Sequence, residues 1–216
     1  VMGPNEAANF CYLGLYAMQH RGQEGAGIVS SDGQTLLSYR DMGLVADIFD
    51  ERVIASLVGN RAIGHTRYAT FGGKNFQNLQ PLMATVSHGS FAVAHNGNLI
   101  NAHELRRDLE KNGAIFSTTS DTEVILHLIV AAQKQPNMVD RIVEAVSQVK
   151  GAYSLVVLTR DSLYGVRDPN GLRPLSLATI DQGHVLASET CAFDLLGATF
   201  LRDVEPGEIV EIAHSG

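Results

Sequence analysis

Scarce cysteine, a shortage of positive charge and the lack of any long apolar run bound what this chain can be. It has two cysteines, Cys11 and Cys191, far apart and outside any Cys-x-x-Cys pattern. That disfavours a disulfide scaffold or a zinc ribbon and fits a reducing cytoplasm. Sixteen Lys and Arg against 23 Asp and Glu leave a net charge of −7, which argues against a nucleic-acid surface. The eight histidines show no His-Glu-x-x-His and no other ligand spacing, so no metal is expected. No apolar run reaches the ~18 residues of a membrane span, and the first residues lack the basic start of a signal peptide. The chain opens at Val1 without an initiator methionine, as a fragment or the ordered part of a longer protein would.

What is there is a core. Apolar residues make up 45% of 216, enough for one large domain, with no repeat, low-complexity segment or internal linker. Helical spacing runs through Ala7, Cys11, Leu15 and Met18, with Gly22 as a C-terminal cap. Cys11 falls on the apolar stripe and reads as a core thiol rather than a nucleophile. Gln19 to Gly27 packs polar side chains among glycines, the mark of backbone held close to something or of a plain connecting loop. Ile28-Val29 and Leu36 to Tyr39 read as strands, and Val45 to Leu57 as one weak helix. Ala62 to Thr66 is a strand ending at Arg67, followed by a glycine-bearing loop able to close over a ligand. An arginine there is either a bidentate carboxylate clamp or half of a surface ion pair.

Phe91 to Asn101 is the most informative stretch. An apolar strand breaks at Asn96-Gly97, a dipeptide suited to tight turns, and Asn101-Ala-His-Glu104 has the spacing of a helix cap. Such a turn could aim the Asn96 amide and the Gly97 N–H at one point, as an oxyanion hole requires, or be an ordinary turn. Ser120-Asp-Thr-Glu123 is a second capping box, and Asp121 is either a first-turn carboxylate or a group holding an ammonium. A third helix follows over Met138 to Val149. The last third is strand-rich, with strands over 152–159, 163–167, 175–180, 184–188 and 209–212 and a short helix at Cys191 to Leu196. Hairpins plus two consecutive long helices predict an α+β fold with helices layered on antiparallel sheets.

Six motifs then occur in one order: Tyr12 to Gly27, Gly64-His-Thr-Arg-Tyr-Ala-Thr70, His95-Asn-Gly-Asn98, Ser120-Asp-Thr-Glu123, Asp168-Pro-Asn-Gly-Leu-Arg-Pro174 and Ala187-Ser-Glu-Thr-Cys-Ala-Phe-Asp194. Together they closely resemble the glutaminase domain of the amidophosphoribosyltransferases, which are class II glutamine amidotransferases. The resemblance covers essentially the whole chain. It implies a four-layer α/β/β/α sandwich, the N-terminal-nucleophile hydrolase fold. It implies glutamine hydrolysis, with the ammonia passed to a phosphoribosyltransferase domain of the same polypeptide in a cytoplasmic homo-oligomer. That domain converts phosphoribosyl pyrophosphate to phosphoribosylamine, the first step of de novo purine synthesis. By motif, Arg67 would clamp the glutamine α-carboxylate, Asp121 its α-ammonium, and Thr70 would line the pocket. Asn96 and Gly97 would form the oxyanion hole. The resemblance implies no cofactor in this domain. Magnesium and, in some members, an iron–sulfur cluster belong to the half that would follow. The family's nucleophile is an N-terminal cysteine whose own α-amine relays the proton, and alignment puts it about five residues before Val1. The competing expectation is a non-catalytic glutamine-binding or regulatory module that lacks this cysteine.

Overall fold

The computed structural model of the chain describes residues 1–68, 76–87, 89–181 and 183–213. Its elements are α1 (Ala7–Ala17), β1 (Gly25–Ser31), β2 (Leu36–Met42), α2 (Val45–Ile48), α3 (Glu51–Ser56), β3 (Arg61–Arg67), β4 (Leu82–Val86) and β5 (Gly89–Leu99). There follow α4 (Ala102–Lys111), α5 (Asp121–Ala131), α6 (Met138–Ser147), β6 (Gly151–Thr159), β7 (Ser162–Arg167), β8 (Ser176–Ile180), β9 (Gly183–Ala187), α7 (Cys191–Leu196), β10 (Thr199–Asp203) and β11 (Ile209–Ala213). One antiparallel sheet has the order β11-β7-β6-β5-β4. Two further ladders, β2-β1-β3 and β10-β8-β9, are joined through Met2, which pairs with Arg61 on one side and His184 on the other.

Strand alternation sorts the apolar side chains into three cores, and these define the layers. Ile28, Ala62, Ala178 and Val185 face α1 and α7. Their neighbours Val29, Ile63, Leu177 and Leu186 face the other way and meet Ala92, Ala94 and Leu158 of the five-stranded sheet. Phe91, Val93, Leu155 and Val157 turn to Ile125, Leu128, Ile129 and Ile142 of α5 and α6. Helix, sheet, sheet, helix is the four-layer α/β/β/α sandwich expected. Cys11 is buried in the first core, where burial pushes its thiol up to about 11. No helix among the described residues is long and apolar enough to cross a membrane.

Several local expectations need correcting. Asn96-Gly97 is not a turn: β5 runs straight through it, and Asn96, Gly97 and Leu99 pair with Ser154, Tyr153 and Gly151 of β6. Glycine is required there by crowding, because a Cβ at position 97 would lie 2.1 Å from the Ala152 carbonyl oxygen. Gly22 does not cap α1, which ends at Ala17; it is extended and follows a 3-10 turn over Gln19–Arg21. The weak helix over 45–57 is two short ones, α2 and α3, the second capped by Asp50. Strand β10 was not expected at all. Asn101 holds the N-cap position of α4, but its side chain bonds the Gln148 carbonyl and the Lys150 N–H instead. Ser120 does cap α5 through the Thr122 N–H, whereas Glu123 accepts from Ser117 and Thr118 N–H rather than closing a box.

Candidate active site

A cleft of about 570 Å³ opens between the ends of β3 and β9, over β5 and β6. Its walls carry Gly64 to Tyr68, Ala94 to Asn98 and Leu186 to Ser188, with Arg21 and Arg173 at the margins. Arg67, Asn96 and Gly97 therefore share one space.

Arg67 ends β3 and is largely buried. Its Nε donates to Glu24 Oε2 at 3.0 Å. The Glu24 N–H returns to the Arg67 carbonyl, and Gly22 lies so near that a Cβ there would meet the Arg67 backbone at 2.5 Å. The glycine-rich segment is thus held against backbone, one of the two readings its composition allowed. Glu24 itself was missed. Only its place among glycines, one strand from Arg67, could have pointed to it.

Asn96 lies on the face of β5 that Ala92 and Ala94 also share, toward the space between the sheets. Its Nδ2 is buried and has no hydrogen-bond partner among the described residues. A buried donor left unmet costs about 1–3 kcal/mol, so an unmet one at a cleft wall is a place for an acceptor to bind. The Gly97 N–H follows from the ladder. His95 directs both its N–H and its C=O away from β6, to Gln80, at 2.7 and 3.4 Å. Antiparallel pairing alternates, so Gly97 and Leu99 direct theirs to the same edge. Leu99 N–H there meets Asp121 Oδ2 at 3.0 Å. Gly97 stands between these two fixed neighbours, beyond the last β4 partner, Leu82.

Asp121 begins α5 and is not on the cleft wall. Its carboxylate meets Leu99 and stands 3.6 Å from His95 Nδ1, at the end of the strand that carries Asn96 and Gly97. Burial pushes this carboxyl up, but the His95 ring and the Leu99 N–H outweigh it and hold the group below its ordinary value. His65, on the cleft wall, is neutral: burial lowers it to about 4, and its Nε2 donates to the His95 carbonyl at 3.1 Å. Thr70 and the glycines of the expected closing loop lie outside the described residues.

The chain is similar to known proteins along its whole length. The family described as "Glutamine amidotransferase domain" matches residues 65–194. The amidophosphoribosyltransferase of Bacillus subtilis is 47% identical over 217 residues, spanning all of this chain and 45% of that protein. The chloroplastic amidophosphoribosyltransferase 2 of Arabidopsis thaliana is 50% identical over 218 residues, again all of this chain and 39% of the relative. The solved B. subtilis glutamine phosphoribosylpyrophosphate amidotransferase, complexed with ADP and GMP, superimposes with a TM-score of 0.93 at 46% identity, over all of this chain and 46% of its own. The chain thus spans less than half the length of these relatives. A cleft that gathers an arginine and an unmet asparagine amide on this four-layer fold, together with the family match, establishes that the chain belongs to the glutamine amidotransferase domain family.

Proposed function

We propose that this domain hydrolyses glutamine to glutamate and ammonia. In the whole protein the ammonia passes to a phosphoribosyltransferase domain of the same polypeptide, which converts phosphoribosyl pyrophosphate to phosphoribosylamine, the first step of de novo purine synthesis. The observation that carries this is the buried, unmet Asn96 amide in the same cleft as the Arg67 guanidinium. Glutamine is a zwitterion with a hydrolysable side-chain amide. Arg67 would clamp its carboxylate and Thr70 would line the pocket, while Asp121, which bonds Leu99 just past the lining residue Asn98, would reach its ammonium from beyond the cleft wall. The Asn96 side chain and the Gly97 N–H would receive the oxyanion formed when the amide is attacked.

The attacking group would be the thiolate of a cysteine upstream of Val1, with its own α-amine relaying the proton to the leaving ammonia. Strand register supports this. Val1 exchanges both backbone hydrogen bonds with Ala62, and Met2 pairs with Arg61. Continued in that direction, a residue about five positions upstream of Val1 would stand opposite Arg67, at the cleft. The two separated thiols fit the reducing cytoplasm. We assign magnesium, any iron–sulfur cluster and the contacts of a homo-oligomer to the remainder of the protein.

The test uses the full-length protein, an electrophilic glutamine analogue and intact mass. One adduct on an N-terminal cysteine is expected. Arg67→Ala should raise the KM for glutamine ~10-fold or more while sparing the reaction with free ammonia. Asn96→Ala should cut glutamine turnover ~10²–10³-fold at nearly unchanged KM. No adduct, or full turnover in Asn96→Ala, overturns the reading.

A further inference from the structure

We propose that Gln80 is a positioning residue for the oxyanion strand. Its side-chain amide completes the β4–β5 ladder at His95 and so fixes where Asn96 and Gly97 face. The inference rests on the oxyanion reading of those two residues.

The ladder between β4 and β5 starts at Leu82 opposite Val93. Counting two further residues back along β4 brings Gln80 opposite His95. The intervening Pro81 lies opposite Ala94, whose main-chain groups turn to β6, so the next pairing due on the β4 side is at His95. Gln80 extends it with its side chain. Oε1 accepts from the His95 N–H at 2.7 Å, and Nε2 faces the His95 carbonyl at 3.4 Å, the pattern of a facing peptide. Gln80 and His95 are both buried, so removing these bonds leaves the His95 N–H without a protein partner among the described residues.

The surroundings hold Gln80 in turn. A Cβ at Gly27 would lie 2.3 Å from the Gln80 main-chain oxygen, so only glycine on β1 lets that backbone settle there. Next to it, the Leu79 carbonyl accepts from Arg40 Nη1 at 2.6 Å. His65 adds a second donor to the His95 carbonyl but nothing for its N–H, and that N–H depends on Gln80 alone among the described residues. Asn96 is the next residue, with its amide unmet in the cleft. Freed at residue 95, the strand edge could relax by fractions of an ångström, enough to misaim both oxyanion donors. Binding of the glutamine backbone, which is left to Arg67 and Asp121, would be unaffected.

The experiment compares Gln80→Met, Gln80→Glu and Asn96→Ala, and the Gln80→Met/Asn96→Ala double variant, in the full-length enzyme. Met matches the volume and removes both bonds; Glu keeps the acceptor for the His95 N–H. Gln80→Met should lower glutamine-dependent kcat ~10–100-fold with KM within about threefold and the ammonia-dependent rate retained. Gln80→Glu should recover most of that loss. In the double variant the two losses should multiply to less than their full product, since the Asn96 donor is already absent and only the Gly97 N–H is left to be misaimed. Losses that multiply in full, a raised KM at unchanged kcat, or equal loss of the ammonia reaction in both Met and Glu variants would each overturn the proposal. Normal turnover in Asn96→Ala alone would instead sink the oxyanion reading beneath it.

Discussion

His65 shows what surroundings do to one ring. It sits in the cleft wall, gives its Nε2 proton to the His95 carbonyl, and keeps a buried Nδ1 with no described partner. Burial, helped by the nearby His95 and Arg67, lowers it from 6.5 to about 4. Between those values the unfolded chain binds a proton that the folded chain refuses. Stability should therefore fall as pH drops from about 6.5 toward 4, and this group should contribute no pH dependence above 6.5. Urea midpoints at pH 7 and pH 5 would measure the fall. His65→Gln, which cannot titrate, should shrink the difference; an unchanged difference would assign it elsewhere.

The same scale shows what was readable beforehand. Arg67, Asn96 and Gly97 were singled out by the motifs that carry the resemblance, and the structure brings all three to one cleft. Their supports were not. Glu24 and Gln80 act on other residues across 43 and 15 positions of chain, and no local pattern encodes such pairing. Asn96-Gly97 was misread for an instructive reason. The dipeptide suggests a turn because glycine tolerates unusual dihedrals, whereas here glycine is needed because the neighbouring strand leaves no room for a Cβ. One letter answers two different demands.

At the scale of elements, the segment from Gln19 into β1 is a common backing plate. Gly22 and Glu24 bear on Arg67, and Gly27 bears on Gln80. The substrate clamp and the oxyanion strand thus share one support. Gly27→Ala would drive a Cβ into the Gln80 carbonyl and the Arg40 side chain, 2.3 and 2.5 Å away. Overpacking of this kind costs about 1–3 kcal/mol, readable as a lower urea midpoint, and should reduce glutamine turnover more than the ammonia reaction. Wild-type stability would show that the β1 backbone can yield. Strand β10 marks the opposite limit of legibility. All five of its residues are exposed, so it carries no alternation between a buried and a solvent face from which to be read.

Across the whole molecule, the α+β class was legible from runs of hairpins and consecutive helices, but composition could not order the layers. The layer order depends on which face of each strand meets which neighbour, and β1 is buried on both faces at all seven positions. Its amides should be among the last to exchange with deuterium, and those of α4, which buries no residue, among the first. Comparable rates for the two would mean that outer and inner layers open together in one cooperative step.

Met2 exchanges both its main-chain bonds with His184 in β9, 182 residues on by subtraction, while its neighbours Val1 and Gly3 bond to Ala62 and Asn60 beside β3. The chain is made from its N-terminal end, so this central seam of the sheet cannot close until nearly the whole domain has left the ribosome. At about 5–20 residues per second the opening segment waits roughly ten to forty seconds for its second partner. Over that interval the residues destined for the middle of the sheet lack the strand that completes their hydrogen bonds.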